Sequence, residues 1–241
     1  NGKSTGYYPD MSITSFYGSH IINCAGNGGA LSLNDDNVID KAKLLRSWGR
    51  SSSLFDENSE AIENRFNIDL DGIEYDAKFV FETIGYNLEG SEIGAAFGLT
   101  QLKKLESNII TRQKNFDIQT KFFSKYKDFF INPIENINCS TAWLAFPILI
   151  SERAPFKRRD FQIYLENLDI QTRVVFTGNI LRQPMMRNVK HISSPKGFKN
   201  SDIIMERGVL LPIHHGLTSD MIDKLHEVID NFIKKYISSS I

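Results

Sequence analysis

The stretch GYNLEGSEIGAAFGLTQLKKLESNI, residues 85–109, decides how this chain is organised. Ser91 is an N-cap by residue type, and Glu92 follows in the first turn, where an acid meets the positive end of the helix dipole. From there Ile93, Ala96, Leu99, Leu102, Leu105 and Ile109 recur near period 3.6, the spacing that lines one face of a helix. No proline or glycine occurs between Leu99 and Phe130, so the helix is expected to run past residue 120. A helix that long is expected to span two domains.

Upstream, residues 12–17 alternate polar with apolar or aromatic groups and read as a short strand. Glycines cluster at Gly26, Gly28 and Gly29, then Ala30-Leu31-Ser32-Leu33 reads as a second strand. Asn34-Asp35-Asp36 supplies a helix N-cap, with Val38, Ala42 and Leu45 at helical spacing until Gly49. The pattern weakens from Arg50 to Gly85, which is expected to be a long loop with some extended structure around Phe79-Val80-Phe81.

Downstream the chain reads as a smaller α+β unit. Strands are expected at 141–146 and 174–176, an amphipathic helix at 157–167, and mostly loop from Gly178 to Gly197. A closing helix at 218–236 is expected to bury Met221, Leu225, Val228, Ile229, Phe232 and Ile233 on one face.

With 241 residues and 41% apolar content, the chain can bury a sizeable core and is long for a single domain. The 28 Lys and Arg nearly cancel the 29 Asp and Glu, which argues against non-specific nucleic-acid binding, a process driven by excess cationic charge. No run reaches the roughly 18–20 apolar residues that cross a bilayer, so no membrane partner is expected. Cys24 and Cys139 are the only cysteines and lie far apart, which fits a reducing, cytoplasmic setting and no disulfide framework.

Three constellations could carry chemistry. Ser15-Phe16-Tyr17-Gly18-Ser19-His20, followed by the glycine-rich segment to Gly29, offers hydroxyls and backbone N–H groups to a phosphate and an imidazole base. By residue type alone it is more simply a strand, a turn and a hydrogen-bonded histidine. Gly85-Tyr86-Asn87-Leu88 either meets an anion at the helix start or is only a turn. Arg173 and Arg182, with Gln183 beside them, could hold a phosphate or carboxylate, although isolated arginines usually pair at the surface. His214-His215 lack the spacing to aim both rings at one metal, and no metal site is expected. Lys157-Arg158-Arg159 reads as a solvated face.

Ser15 to His20, Gly28-Gly29, Leu45-Arg46-Ser47-Trp48-Gly49-Arg50, Gly85 to Leu88 with the helix to Leu105, and Leu211-Pro212-Ile213-His214 form an ordered set. In that order and spacing they together resemble the DegT/StrS-type family of nucleotide-sugar aminotransferases and dehydratases. The resemblance covers essentially the whole chain. It implies an α/β chain of the fold-type-I, vitamin-B6-dependent transferase class. Residues 1–120 are then the later part of the cofactor-binding large domain, including the inter-domain helix, and 121–241 the small α+β domain. The opening at Asn1 lacks an initiator methionine, and the family's earlier cofactor-binding residues are expected upstream, so the sequence reads as a fragment.

The resemblance also implies roles. The position of His20 is usually a lysine that bonds covalently to the cofactor. Histidine there is similar to the branch that removes the C3 hydroxyl of nucleotide-linked 4-keto-6-deoxyhexoses, as is Gly178-Asn179-Ile180-Leu181-Arg182-Gln183-Pro184. His20 and Tyr17 are the expected catalytic residues. Ser15 and Asn87 would bind the cofactor phosphate, Asn87 across a homodimer interface, and Arg173, Arg182 and Gln183 would bind substrate. The cofactor would be pyridoxamine or pyridoxal phosphate, held without a covalent bond because imidazole has no primary amine. The closest branch, the CDP-4-keto-6-deoxyglucose 3-dehydrase type, carries iron–sulfur cysteines where this chain reads Ser51-Ser52-Ser53-Leu54-Phe55, so no such cluster is expected. An aminotransferase and a non-catalytic or truncated homologue remain as alternatives. The fragment alone is expected to be inactive.

Overall fold

The computed structural model describes residues 2–56 and 61–237, so positions 57–60 of the expected loop lie outside the described residues. The chain divides into two compact units, Asn1–Lys103 and Lys104–Ile241, and the division falls inside the long helix.

In the first unit, β1 (Met11–Ser15) pairs antiparallel with β2 (Gly29–Leu33), with Met11 opposite Leu33 and Ser15 opposite Gly29. Helix α1 (Asp36–Arg46) starts where Asp35 accepts a hydrogen bond from the Asn37 N–H at 3.0 Å, as its residue type foretold. It ends three residues before Gly49, because Trp48 and Gly49 both adopt positive φ (58° and 82°) and turn the chain out of the helix.

The expected loop between Arg50 and Gly85 is more ordered than its weak pattern implied. It holds a short helix α2 (Ile62–Arg65) and a hairpin of β3 (Ile68–Leu70) and β4 (Ile73–Tyr75). The turn is Asp71-Gly72, both at positive φ (55° and 88°), the backbone that a two-residue hairpin demands. That dipeptide between Ile-Asp-Leu and Ile-Glu-Tyr was the available signal. The expected extended segment at 79–81 is instead a 3₁₀ turn, Ala77–Phe79, followed by a single bridge from Phe81 to Arg50.

Helix α3 (Glu92–Phe123) is 32 residues long and does run past residue 120. Ser91 caps it, its hydroxyl oxygen accepting from the Gly94 N–H at 3.3 Å. The apolar stripe of its first half is not buried within the described chain: Ile93 is 83% exposed and Leu99 63%. Its last turns do face a core, through Phe116, Phe122 and Phe123.

The second unit builds a four-stranded antiparallel sheet in the order β5 (Phe130–Ile131), β6 (Phe146–Ile150), β8 (Gly208–Leu211), β7 (Arg173–Val174). Helices α4 (Arg158–Glu166), α5 (Lys199–Arg207) and α6 (Ser219–Ile237) complete it. The strand expected at 141–146 begins at Phe146. Trp143 holds φ at 31°, outside strand geometry, with its ring stacked on Phe116 at 4.1 Å, and the alternation that counts is Phe146, Ile148, Ile150, all buried. The strand expected at 174–176 stops at Val174, since Phe176 has φ 47° and leaves the ladder. Neither α5 nor β8 was visible in sequence, and β8 is a central strand.

Phenylalanine dominates the core of this unit. Phe161 lies 5.3 Å, centroid to centroid, from both Phe130 and Phe232, and α6 adds Ile222, Leu225, Ile229 and Ile233. Each such side chain contributes about 1.5–3 kcal/mol of burial. Met221, expected on that face, is 54% exposed instead, because the buried face is set by Ile222 and Leu225 three residues apart. No helix of the described residues is long and apolar enough to cross a membrane.

Candidate active site

Three of the residues singled out in the sequence sit in one turn at the end of β1. Ser15 is the last strand residue, and its hydroxyl oxygen accepts from the Tyr17 N–H at 3.4 Å. Two residues on, the Tyr17 carbonyl accepts from the His20 N–H at 2.9 Å, closing a tight turn. The two rings stand perpendicular, with centroids 6.2 Å apart, Tyr17 exposed and His20 half-buried.

This turn belongs to a longer loop that continues the β1–β2 ladder. Phe16 N–H donates to the Gly28 carbonyl, Gly18 N–H to Gly26 and Cys24 N–H to Phe16, at 2.9–3.0 Å. The glycines have geometric work to do there: Gly26 and Gly28 hold φ at 114° and 147°, which an L side chain rarely adopts. His20 therefore hangs from a pinned loop rather than a free one.

Asn87 is placed by a different device. The segment 80–88 runs antiparallel to 45–51, with Trp48 N–H on the Tyr86 carbonyl at 2.8 Å, Tyr86 N–H on Leu45 at 2.7 Å and Leu88 N–H on Arg46 at 2.9 Å. Ser47 faces Asn87 in an isolated bridge, and the Asn87 side chain is exposed. Ser47 donates its hydroxyl to Glu89, which also faces Arg46 at 3.5 Å, and the Arg50 guanidinium lies 4.4 Å over the Trp48 ring.

The three serines at 51–53 all donate to backbone carbonyls: Ser51 to Ala77 at 3.1 Å, Ser52 to Lys78 at 3.3 Å and Ser53 to Arg50 at 2.8 Å. Ser51 and Ser52 tie that turn to the 77–80 segment, while Ser53 closes the turn on itself. Among the described residues no three His, Cys, Asp or Glu side chains gather as metal ligands would.

Arg173, Arg182 and Gln183 belong to the second unit. Arg173 is exposed in β7, donating to the Thr172 carbonyl at 2.8 Å. Arg182 has a carboxylate partner that sequence reading missed: its Nη2 donates to Asp202 Oδ2 at 2.8 Å, and Asn179 Nδ2 donates to Asp202 Oδ1 at 2.8 Å. Hydrogen bonding from Arg182, then from Asn179, lowers the Asp202 carboxyl to about 2. No local pattern links residues 182 and 202, so only α5 could have revealed it. Gln183 donates to the Thr177 carbonyl at 3.1 Å.

Also unforeseen is Arg112, buried on α3 with its Nη1 donating to the Trp143 and Leu144 carbonyls at 3.0 Å each. Burial lowers its pKa. His214 and His215 are both held below the ordinary imidazole value, by burial first and by the Arg112 charge next.

Chemically, the first unit offers a serine hydroxyl, an exposed amide, a phenol and an imidazole. The Ser15 oxygen accepts from the Tyr17 N–H, and a hydroxyl that accepts in this way keeps one hydrogen to donate. No lysine lies between Lys3 and Lys41, so no amine accompanies the imidazole in this loop.

The model of the DegT/DnrJ/EryC1/StrS aminotransferase family matches residues 1–230. The chain is 30% identical over 97% of its length to dTDP-4-dehydro-2,6-dideoxy-D-glucose 3-dehydratase of Saccharopolyspora spinosa, covering 50% of that protein. It is 29% identical over 96% of its length to the lipopolysaccharide biosynthesis protein RfbH of Salmonella typhimurium, covering 53% of it. Among solved structures it is similar to the Escherichia coli GDP-4-keto-6-deoxy-D-mannose-3-dehydratase with bound hydrated PLP. The TM-score is 0.77 at 25% identity, over 95% of this chain and 56% of that one. The chain thus spans about half the length of the curated relatives it matches.

Proposed function

The chain belongs to the DegT/DnrJ/EryC1/StrS aminotransferase family, and from that premise we propose that the whole protein is a vitamin-B6-dependent 3-dehydratase. Its substrate is a nucleotide-linked 4-keto-6-deoxyhexose, of the kind used in deoxysugar and surface-polysaccharide assembly. One observation carries the reading: the turn after β1 presents an imidazole, His20, where the family resemblance expects a lysine amine.

The donor set fits the cofactor. Ser15 and Asn87 would hold its phosphate, Asn87 from the opposite subunit of a homodimer, and Tyr17 would flank it beside His20. When bound, pyridoxamine phosphate supplies an amine for the sugar ketone and a ring that accepts electrons. His20 contributes a ring nitrogen that takes up a proton, and once protonated the same imidazole is the acid for the departing C3 hydroxyl. A side chain that cannot bond covalently to the cofactor does not reclaim it as lysine does, which favours loss of the hydroxyl over net amino transfer.

Arg173, Arg182 and Gln183 are assigned to the substrate, with Arg173 carrying the exposed guanidinium for a diphosphate and Arg182 sharing its charge with Asp202. This reading assigns residues 1–120 to the later part of the cofactor domain and 121–241 to the small domain, a boundary that falls within α3, as does the division after Lys103.

Borohydride treatment of the full protein loaded with pyridoxal phosphate tests the reading. No cofactor should remain attached to protein, and product analysis should find a 3-deoxy sugar. A stable adduct on a lysine, with a 4-amino sugar as product, would establish the aminotransferase instead.

A further inference from the structure

Resting on the assignment of His20 as the proton-transfer base, we propose that Gly98 and Cys24 are positioning residues that seat the His20 loop against helix α3.

Gly94 and Gly98 are four residues apart on α3, hence on one helical face, and both are buried. Against that face lies the loop at Cys24. A Cβ placed on Gly98 would come within 2.6 Å of the Cys24 Sγ, and one on Gly94 within 3.0 Å of the Cys24 carbonyl oxygen. At 2.6 Å the thiol or the loop that carries it must shift, and at 3.0 Å the carbonyl must give by a few tenths of an ångström. Gly28 approaches residue 24 from the loop side: a Cβ there would sit 3.2 Å from the Cys24 Cβ, so Cys24 has glycine close by at 28 as well as at 94 and 98.

Cys24 is also hydrogen-bonded through its N–H to the Phe16 carbonyl, at the root of the turn that carries His20. Displacing Cys24 from α3 therefore pulls on Phe16, and with it on Tyr17 and the carbonyl that receives the His20 N–H. The helix face, the thiol and the turn form one mechanical path, and the missing side chains at 94 and 98 determine how deep the loop can sit. Bulk at Gly98 should lift the imidazole without touching it.

Gly98→Ala in the full protein is the direct test. Turnover should fall by about 10²-fold while KM moves by less than about threefold, the pattern of a misplaced reacting group rather than lost binding. In protein without added cofactor, the His20 ring signals in a ¹H–¹³C NMR spectrum, assigned with His20→Asn, should shift. Adding Cys24→Ala should reverse both effects, because removing Sγ opens the room the new methyl takes. Cys24→Val, which adds bulk from the loop side and leaves α3 untouched, should move the same signals. The seat is overturned if these variants lose only thermal stability while the His20 signals and turnover stay put, or if the double variant is no better than Gly98→Ala. Full turnover in His20→Asn would overturn the base assignment separately, while the His20 shift caused by Cys24→Val and that caused by Gly98→Ala, with its reversal, still judge the seat.

Discussion

Gly49 and Gly85 cross so closely that a Cβ on Gly85 would lie 2.3 Å from the Gly49 nitrogen, and one on Gly49 would lie 1.8 Å from the Thr83 carbonyl oxygen. The crossing is what brings Asn87 opposite Ser47. Gly49 also holds φ at 82°. Gly49→Ala should thus cost about 3 kcal/mol through strain and backbone displacement. Urea unfolding of the protein, with Gly72→Ala as the uncrowded positive-φ control, measures it; equal losses in the two would show that the crossing adds nothing.

Asp202 should titrate near pH 2. Arg182 and Asn179 hold the folded carboxyl at about 2, below its unfolded value, so the unfolded chain binds more protons as acid is added. The stabilisation is complete above about pH 4 and disappears as pH falls through about 2. A ¹³C carboxyl titration checks it directly, and a midpoint at the ordinary value would mean the pair is not formed in solution. Asp202→Asn should remove this acid-sensitive step and loosen the Ile180–Arg182 turn in hydrogen exchange.

Asn87→Ala should weaken cofactor binding by about 1.5 kcal/mol, roughly tenfold in Kd, as expected for one hydrogen bond to a charged phosphate. Calorimetric titration of the full protein with pyridoxamine phosphate reads the change. Unaltered affinity would remove Asn87 from the phosphate site.

Leu225→Ala should destabilise the second unit by about 2–5 kcal/mol, since Leu225 is buried among the phenylalanines. Met221→Ala, one helical turn earlier but exposed, should change stability by no more than about 0.5 kcal/mol. Thermal unfolding of the two variants compares them, and equal losses would move the buried face of α6 back onto Met221.

His20→Asn should retain cofactor but lose about 10²-fold or more in turnover, the scale of a removed general base. Steady-state kinetics beside a spectroscopic measure of bound cofactor separate the two effects.

By itself the sequence determined what depends on neighbours a few residues apart. The Asp35 and Ser91 caps, the uninterrupted length of α3, the alternation in β1 and the stripe of α6 are all short-range, because capping and periodicity act within one or two turns of chain. The order of the site motifs along the chain was equally legible, as was histidine in a place where lysine was expected. The tertiary structure alone decided the rest. That β8 is a central strand follows from pairing with β6 and β7 across dozens of residues, and its short run Gly-Val-Leu-Leu carries no local signature of that partnership. The same holds for Asp202 on Arg182, for Trp143 leaving the strand to stack on Phe116, and for the glycine face of α3 under Cys24. A contact between distant segments depends on where the whole chain has placed both surfaces, and neither segment encodes the other's position.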